Sequence, residues 1–241
     1  MLRSLLLAAE PVLFASLGPI LRASRARYQR SLLVQKYCRG HGAEIGALQQ
    51  PMLVPLGART TYIDLHPSAY WRSLPGNAAV KIVEPQIVDD GATLNSVADG
   101  LFDYLIAAHV LEHVEDPISA LKTWVRVVKP GGHIIIAVPD KRFCGEEMRP
   151  TTTVDHFIRD HEEGPQVSAE EHYRDFGSNL KSLSGAELDS YVAAAEPMIH
   201  FHTFTLTSFV RLLSAIEDIG FELVEACLNV NEDLAVLKRG G

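Results

Sequence analysis

The sequence predicts an α/β fold built on a parallel sheet, and residues 102–139 carry most of the evidence. Tyr104–Ala108 is a short apolar run, as expected of a strand that is covered on both faces. A helical pattern follows, and Ile134–Val138 is a second apolar run. A strand, a helix and a strand joined by tight turns form a βαβ unit, so the two strands are expected to be parallel.

The helix between these strands has a clear beginning and end. Asp116 is a preferred N-cap residue, and Pro117 takes the first helical position, where the missing N–H costs nothing. The apolar positions that follow form one helical stripe, consisting of Ile118, Leu121, Val125 and Val128. The Lys-Pro-Gly-Gly sequence at 129–132 ends the helix.

Other apolar runs complete the predicted sheet. They predict the first strand and its turn at residues 43–47, and further strands at residues 60–65, 80–88, 221–228 and 234–237. Pro85 interrupts the third of the seven strands. Residues 206–216 predict a helix that Gly220 ends, and the polar residues 229–233 join the final two strands as a pair.

Length, composition and charge restrict the classes of fold and function that the chain can have. A chain of 241 residues that is 47% apolar suits one α/β domain with elaborations or with a small cap. The formal net charge of −8 argues against a nucleic-acid partner, whose phosphates require a basic surface. Cys38, Cys144 and Cys227 show no metal or redox spacing, which indicates a reduced, cytoplasmic chain.

The first thirty residues predict an amphipathic helix within an N-terminal segment at 1–37. Its basic end contains Arg22, Arg25, Arg27 and Arg30. The segment suits a helix docked on the domain or capping the substrate pocket, peripheral contact with an anionic membrane, or a cleaved signal. Glu10 and Pro11 interrupt the early apolar run, which falls short of the roughly 20 residues of a membrane span.

Four motifs together resemble the class I S-adenosyl-L-methionine (SAM)-dependent methyltransferases of type 11. They are Glu44-Ile-Gly-Ala-Leu48 after the first strand, Asp64 after the second, Asp89-Asp90-Gly91, and the segment 102–139. The "EIGAL" form is similar to that of bacterial methyltransferase-like proteins encoded among glycan-assembly genes. The resemblance implies a Rossmann-like, doubly wound seven-stranded sheet with a terminal antiparallel hairpin. Residues 38–140 would form the SAM-binding core, and residues 203–241 would complete it.

The resemblance also implies which residues hold SAM. They are Glu44, Gly46, Ala47, Leu48, Asp64, Leu65, Asp89, Asp90, Gly91 and His109. Leu48 and Gln50 depart from the glycines that the family usually has there. The glycines between Gly40 and Gly46 lack the spacing of a dinucleotide fingerprint.

His109-Val-Leu-Glu-His113 also matches an inverted zinc-protease motif. That motif requires both histidines on one helix, whereas here they are predicted at a turn after a strand. We therefore interpret His113 as a residue that holds the turn. By resemblance, His109 would face the transferred methyl group.

Residues 141–202 form an insertion that a minimal fold of this kind does not need, and they contain five of the ten histidines. An insertion after a strand's carboxyl end favours a substrate-recognition lid. Candidate substrate-binding residues are Lys141, Arg142, His156, His172 and His200. The spacing of His200 and His202 suits a polar pocket or a metal, and no metal ligand set is assigned.

The predicted reaction is O-methylation of a saccharide or another polar small metabolite. A hydroxyl needs a base to take its proton, and His109, Asp140 and His202 are the candidates. The alternatives are N-methylation, metal-dependent chemistry in a repurposed SAM fold, and a non-catalytic module that binds SAM or a partner. A small-molecule or glycan acceptor is the expected partner, and a homodimer is compatible with the sequence.

Overall fold

The structure is a computed structural model that describes residues 27–195 and 198–241. Seven strands form one sheet: β1 (His41–Ile45), β2 (Arg59–Asp64), β3 (Ile87–Val88), β4 (Phe102–Ala108), β5 (Val128–Pro139), β6 (Phe221–Asn229) and β7 (Glu232–Arg239). Their order is β3-β2-β1-β4-β5-β7-β6. The first five strands are parallel, and β7 pairs antiparallel with both β5 and β6. The predicted doubly wound sheet with its terminal hairpin is confirmed.

The described helices are α1 (27–37), α2 (Ser68–Ser73), α3 (Pro117–Val127), α4 (Val154–Glu163), α5 (Ala169–Asn179), α6 (Gly185–Ala194) and α7 (Leu206–Ala215). The Asp116 carboxylate accepts the Ser119 backbone N–H at 3.0 Å, which caps α3 as predicted. Thr205 caps α7 through a reciprocal pair of hydrogen bonds with Ser208. None of these helices combines the length and the apolar character that crossing a bilayer requires.

The sheet is covered on both faces. On one face, Trp124 of α3 and Phe209 of α7 are fully buried in a large apolar core with Leu105. On the other face, α1 contributes Leu33 and Val34 to a smaller core. This two-sided burial explains why the central strands read as continuous apolar runs.

Gly42 lies in the middle of β1 and packs against the Tyr104 ring. A Cβ at Gly42 would lie 2.3 Å from ring carbons of Tyr104. This glycine therefore serves close packing between strands, in agreement with the prediction that the segment from Gly40 is not a dinucleotide-binding loop.

Three predicted boundaries were wrong. The third strand covers only Ile87–Val88 instead of residues 80–88, because Pro85 has no N–H to donate at this edge of the sheet. Strand β5 begins at Val128, directly after α3, so the glycine turn is absorbed into a strand whose register shifts near its beginning. The final hairpin turn is shorter than 229–233, since the strands end at Asn229 and resume at Glu232.

The predicted insertion contains α4, α5 and α6. It leaves the sheet after Asp140, and a parallel bridge pairs Asp140 with Phe204 where the chain returns. Phe157 of α4 stacks on Phe204 with ring centroids 5.7 Å apart, which anchors the insertion to the larger core. Its function as a lid stays a prediction. Most of the predicted N-terminal helix, residues 1–26, lies outside the described residues.

Candidate functional site

Two adjoining cavities open at the carboxyl edge of the sheet, where β1 and β4 are neighbours. The strand order reverses there, which is where ligands of open α/β sheets bind. The first cavity has a volume of about 230 Å³ and the second about 260 Å³. Together they are in the range of about 300–1,000 Å³ that is typical of small-molecule sites.

The predicted cofactor residues converge on these cavities. Those that line the first cavity are Gly46, Leu48, Asp64, Leu65, Asp90, Gly91 and His109. Those that line the second are Glu44, Gly46, Ala47, Leu48 and His109. Asp89 alone lines neither cavity.

Two glycines let the backbone approach a ligand closely. Gly46 has φ of +66°, a left-handed conformation that favours glycine, and it lies at the turn after β1. A Cβ at Gly91 would lie 2.5 Å from Cγ2 of Ile45, so this wall of the first cavity has no room for a side chain. Leu48 also has a positive φ, +45°, although the family usually has glycine there.

Asp64 presents a fixed carboxylate to the first cavity. Its Oδ1 accepts the indole N–H of Trp71 at 2.8 Å and the backbone N–H of His66 at 3.2 Å. Among the described residues, Oδ2 accepts no hydrogen bond, and the residue is only 9% exposed. A buried carboxylate with one oxygen free suits a pair of ribose hydroxyls.

The geometry favours Asp90 over Asp89 as the second acidic ligand. Asp89 accepts the Ser96 hydroxyl at 2.5 Å and the Asp90 N–H at 2.8 Å, so it holds the loop together. Asp90 lines the cavity, and its Oδ1 accepts the Ala92 N–H at 2.8 Å.

Glu44 is buried at the end of β1 and is held by the backbone. Both of its carboxylate oxygens lie 3.1 Å from the Met52 N–H. Burial raises the pKa of Glu44 to about 7, although the hydrogen bond from Met52 and the nearby Arg30 oppose the shift. The carboxyl group of Glu44 is thus close to half-protonated at neutral pH.

The structure argues against His109 as the base. Its Nε2 lies 2.8 Å from Glu232 Oε2, and its Nδ1 lies 3.4 Å from Glu112 Oε1. Burial alone would lower the pKa of His109, but these two carboxylates raise it to about 9. His109 is therefore a cation at neutral pH and has no lone pair with which to accept a proton.

Asp140 and His202 are also poorly placed for the predicted base. Asp140 is fully buried, and its Oδ2 lies 2.5 Å from Nη2 of Arg142. His202 is fully buried too, and its Nε2 donates to the Glu115 carbonyl at 3.2 Å. Neither residue lines the two cavities.

His113 is the functional candidate that sequence reasoning missed. It lines the first cavity, and its Nδ1 donates to the Ile199 carbonyl at 3.0 Å. Since a carbonyl only accepts, the lone pair must lie on Nε2. Burial lowers the pKa of His113, although the negative charge of Glu112 acts in the opposite direction. The ring is therefore neutral at pH 7. The H-x-x-E-H spacing marked this residue, but the partner that fixes its tautomer is 86 residues away.

The predicted substrate-binding residues lie outside both cavities. Lys141 donates to the Arg149 carbonyl, and Arg142 pairs with Asp140. His200 lies 3.0 Å from Glu146 Oε1, and its ring meets that of His113 at 4.6 Å. His156 and His172 lie together, with their Nε2 atoms 3.3 Å apart. Their predicted contact with a substrate stays a prediction.

The cavities fit SAM. The free oxygen of Asp64 suits the ribose hydroxyls, Asp90 beside the backbone of Gly91 suits the adenine, and the turn at Gly46 lets the main chain approach the amino-acid portion. Apolar walls from Ile45, Leu65, Trp71, Val110 and Val114 complete the site.

Comparison with known proteins agrees with this geometry. The family model described as a methyltransferase domain matches residues 40–136. A ubiquinone biosynthesis O-methyltransferase of Xanthomonas campestris pv. campestris is 32% identical over 96 residues, and one of Alkalilimnicola ehrlichii is 34% identical over 97 residues. These matches span 38% of this chain, and 38% and 37% of the respective relatives.

Solved structures extend the likeness of fold beyond that segment. The plantazolicin methyltransferase BpumL, solved in complex with SAH, has a TM-score of 0.51 and 16% identity. The likeness covers 97% of this chain and 90% of that one. At this identity it shows the fold alone. The fold and the methyltransferase domain matched at residues 40–136 both support a SAM-dependent methyltransferase.

Proposed function

We propose that the protein methylates a hydroxyl group of a saccharide or another polar small metabolite, with SAM as the methyl donor and His113 as the general base. One observation carries the proposal: a neutral histidine with a free Nε2 lies in the same cavity as the fixed carboxylate of Asp64. The cofactor groups and a base are thus within reach of one bound pair of reactants.

The chain's own residues would orient both reactants. When bound, SAM supplies an electrophilic methyl group on a sulfonium. Asp64, Asp90 and the glycine backbone at Gly46 and Gly91 would hold the cofactor, so that positioning supplies much of the rate. Val110 and Val114 line the same cavity and would give the reactants apolar surroundings.

His113 would take the proton that the attacking hydroxyl loses. The hydrogen bond from Nδ1 to the Ile199 carbonyl keeps Nε2 unprotonated before the reaction. After proton transfer, the negative charge of the neighbouring Glu112 stabilises the imidazolium. This assignment replaces His109, Asp140 and His202, which were predicted as bases.

Two lines of support favour a hydroxyl acceptor. A histidine base is most useful for a hydroxyl, whereas a free amine needs less help with proton removal. The curated relatives are named O-methyltransferases, although the chain spans well under half of their length. The saccharide class rests on the resemblance to proteins of glycan-assembly clusters. N-methylation is the second candidate.

Calorimetric titration tests the cofactor first. SAM and S-adenosylhomocysteine are titrated into EDTA-treated protein, into Asp64→Ala, and into Asp99→Ala, which removes a carboxylate that is 76% exposed. We expect micromolar binding to the unaltered protein and to Asp99→Ala, and a loss of at least about tenfold in Asp64→Ala. Failure of the unaltered protein to bind either ligand would refute the proposed function.

A screen with labelled SAM against saccharides, phenols and amines then tests the acceptor class. Label transfer to hydroxyl groups supports the proposal. Label transfer to amines alone contradicts it and favours N-methylation.

A further inference from the structure

Four side chains that the proposed reaction does not use meet inside the insertion. They are His156 and Asp160 of α4, His172 of α5, and His202 just before α7. The first two are four residues apart and share one face of α4. Asp160, His172 and His202 are buried, and the side chain of His156 is 15% exposed.

The distances between the donor atoms match those expected around a small cation. His156 Nε2 lies 3.3 Å from His172 Nε2 and 3.1 Å from Asp160 Oδ2. Asp160 Oδ2 lies 3.5 Å from His172 Nε2, and one donor atom from each of the four residues falls within 4.8 Å of all the others. With metal–ligand distances near 2.0–2.1 Å, the donors of a tetrahedral site lie about 3.3–3.4 Å apart.

Two of these donor atoms are buried without a hydrogen bond. They are Asp160 Oδ2 and His202 Nδ1, among the residues that the structure describes. Asp160 Oδ2 is close to two histidine nitrogens, yet neither contact has hydrogen-bond geometry. Buried acceptors without a donor are rare in folded proteins, so two of them in one cluster require an explanation.

The atoms on the outer side of this cluster are already held by partners. Ser168 donates its hydroxyl to Asp160 Oδ1, and His202 Nε2 donates to the Glu115 carbonyl at 3.2 Å. In metal sites, such outer contacts fix the tautomer and direct the lone pair toward the ion. With Nε2 of His202 donating, its lone pair lies on Nδ1, which is buried without a hydrogen bond among the described residues.

We propose that His156, Asp160, His172 and His202 bind one divalent transition-metal ion, with Zn²⁺ as the first candidate. Three imidazoles and one carboxylate suit Zn²⁺ better than Mg²⁺ or Ca²⁺, which prefer all-oxygen sites. The four protein ligands fill a tetrahedral shell, as in a structural site. The ion joins α4 and α5 to the segment at His202, which Glu115 ties to the loop after β4.

A second histidine cluster offers fewer ligands for a metal ion. Glu112, His113 and His200 are also close together, but they are three residues instead of four, and His200 Nδ1 lies 3.0 Å from Glu146 Oε1. Among the described residues, the cluster around Asp160 is the one that brings four donors together.

Metal analysis of protein prepared without a polyhistidine tag tests the site. After treatment with EDTA, the protein is titrated with Zn²⁺, and separately with Co²⁺, whose visible absorption reports tetrahedral coordination. We expect one ion per chain and an intense tetrahedral Co²⁺ spectrum. Asp160→Asn and His172→Gln should each weaken Zn²⁺ binding by about 100-fold or more, whereas His161→Gln, on the same helix, should leave it unchanged.

Three results would overturn the site. The first is no stoichiometric binding of Zn²⁺ or Co²⁺ by the folded, unaltered protein. The second is an octahedral Co²⁺ spectrum. The third is binding that survives Asp160→Asn and His172→Gln but disappears in His113→Gln. Should a ligand variant fail to fold, the stoichiometry and the Co²⁺ spectrum of the unaltered protein decide. None of these measurements uses methyl transfer, so failure of the proposed function remains distinguishable.

Discussion

His109 Nε2 lies 2.8 Å from Glu232 Oε2, although the two residues are 123 positions apart. Glu232 also lies 2.9 Å from the Arg30 Nε and accepts from the Asn229 side chain at 2.6 Å. One buried carboxylate therefore ties α1, the end of β4 and the final hairpin together beside the cofactor cavities. His109 lies next to this carboxylate, which explains why its imidazole ring is charged.

Replacing Glu232 with glutamine should lower the pKa of His109 from about 9 toward the ordinary 6.5. The histidine pKa is raised in the folded state, so its stabilising contribution is complete below pH 6.5 and is lost as the pH rises to 9. Because the His109 side chain is 37% exposed, solvent screening limits this contribution to about 1 kcal/mol.

Two measurements check this prediction. NMR titration of the imidazole reports the pKa of His109 in both proteins. Denaturation at pH 6 and pH 10 should show the stability difference between wild type and Glu232→Gln shrinking at high pH. An unchanged pKa of His109 in the variant would contradict the interpretation.

Replacing Glu44 with glutamine should stabilise the folded protein most at alkaline pH. Burial raises the pKa of Glu44 from 4.5 to about 7, so the carboxyl group stabilises the fold below pH 4.5, and this is lost as the pH rises through 7. Relative to wild type, Glu44→Gln should gain about 2–3 kcal/mol of unfolding free energy between pH 5 and pH 8. Denaturant titration without cofactor measures it, with Glu222→Gln on the exposed part of β6 as the charge control. An equal gain at both pH values would show that Glu44 is ionised throughout.

Replacing His113 with glutamine should slow methyl transfer without weakening SAM binding. Loss of a general base lowers kcat by roughly 10²–10⁴-fold, while the cofactor contacts from Asp64 and Gly46 remain. Single-turnover kinetics with the identified acceptor measure the rate, and calorimetry measures the affinity for SAM. The acidic limb of the pH–rate profile should disappear in the variant. A changed affinity for SAM together with an unchanged rate of methyl transfer would assign His113 to the cofactor site instead.

Replacing Gly42 with alanine should destabilise the sheet by about 1–3 kcal/mol, because the new methyl group has no space beside a buried ring. The nearest Tyr104 atoms would be 2.3 Å from the added carbon. Thermal unfolding measures the loss, at roughly 2–4 °C per kcal/mol for a chain of this size. In a Tyr104→Leu background the same substitution should cost less. Equal costs in both backgrounds would show that the ring is not the obstacle.

The fold could be predicted where local signals decide it. The cap at Asp116 and the apolar runs of β4 and β5 act within a few residues, and the structure reproduces them. Strand β3 could not be delimited, because apolar residues at a sheet edge do not show whether a neighbour will pair with them.

The convergence of the cofactor candidates at one place was also predictable, since these residues follow successive strands and those strand ends meet at one edge. The base was not. His109 and His113 are four residues apart and chemically identical, and only partners from distant segments, Glu232 and Ile199, make one a cation and the other a neutral acceptor. The protonation state of a histidine is a tertiary property that residue type does not carry.

The bridge between Asp140 and Phe204 has an evolutionary consequence. A segment whose two ends lie side by side can lengthen, shorten or be exchanged with little change in the entropy of closing it. The strands that hold Asp64 and Gly46 would keep their positions through such an exchange, since the departure and return points are fixed on the sheet. Given the predicted role of the insertion in substrate recognition, acceptor preference would diverge among descendants of this protein while the residues around the two cavities stay the same.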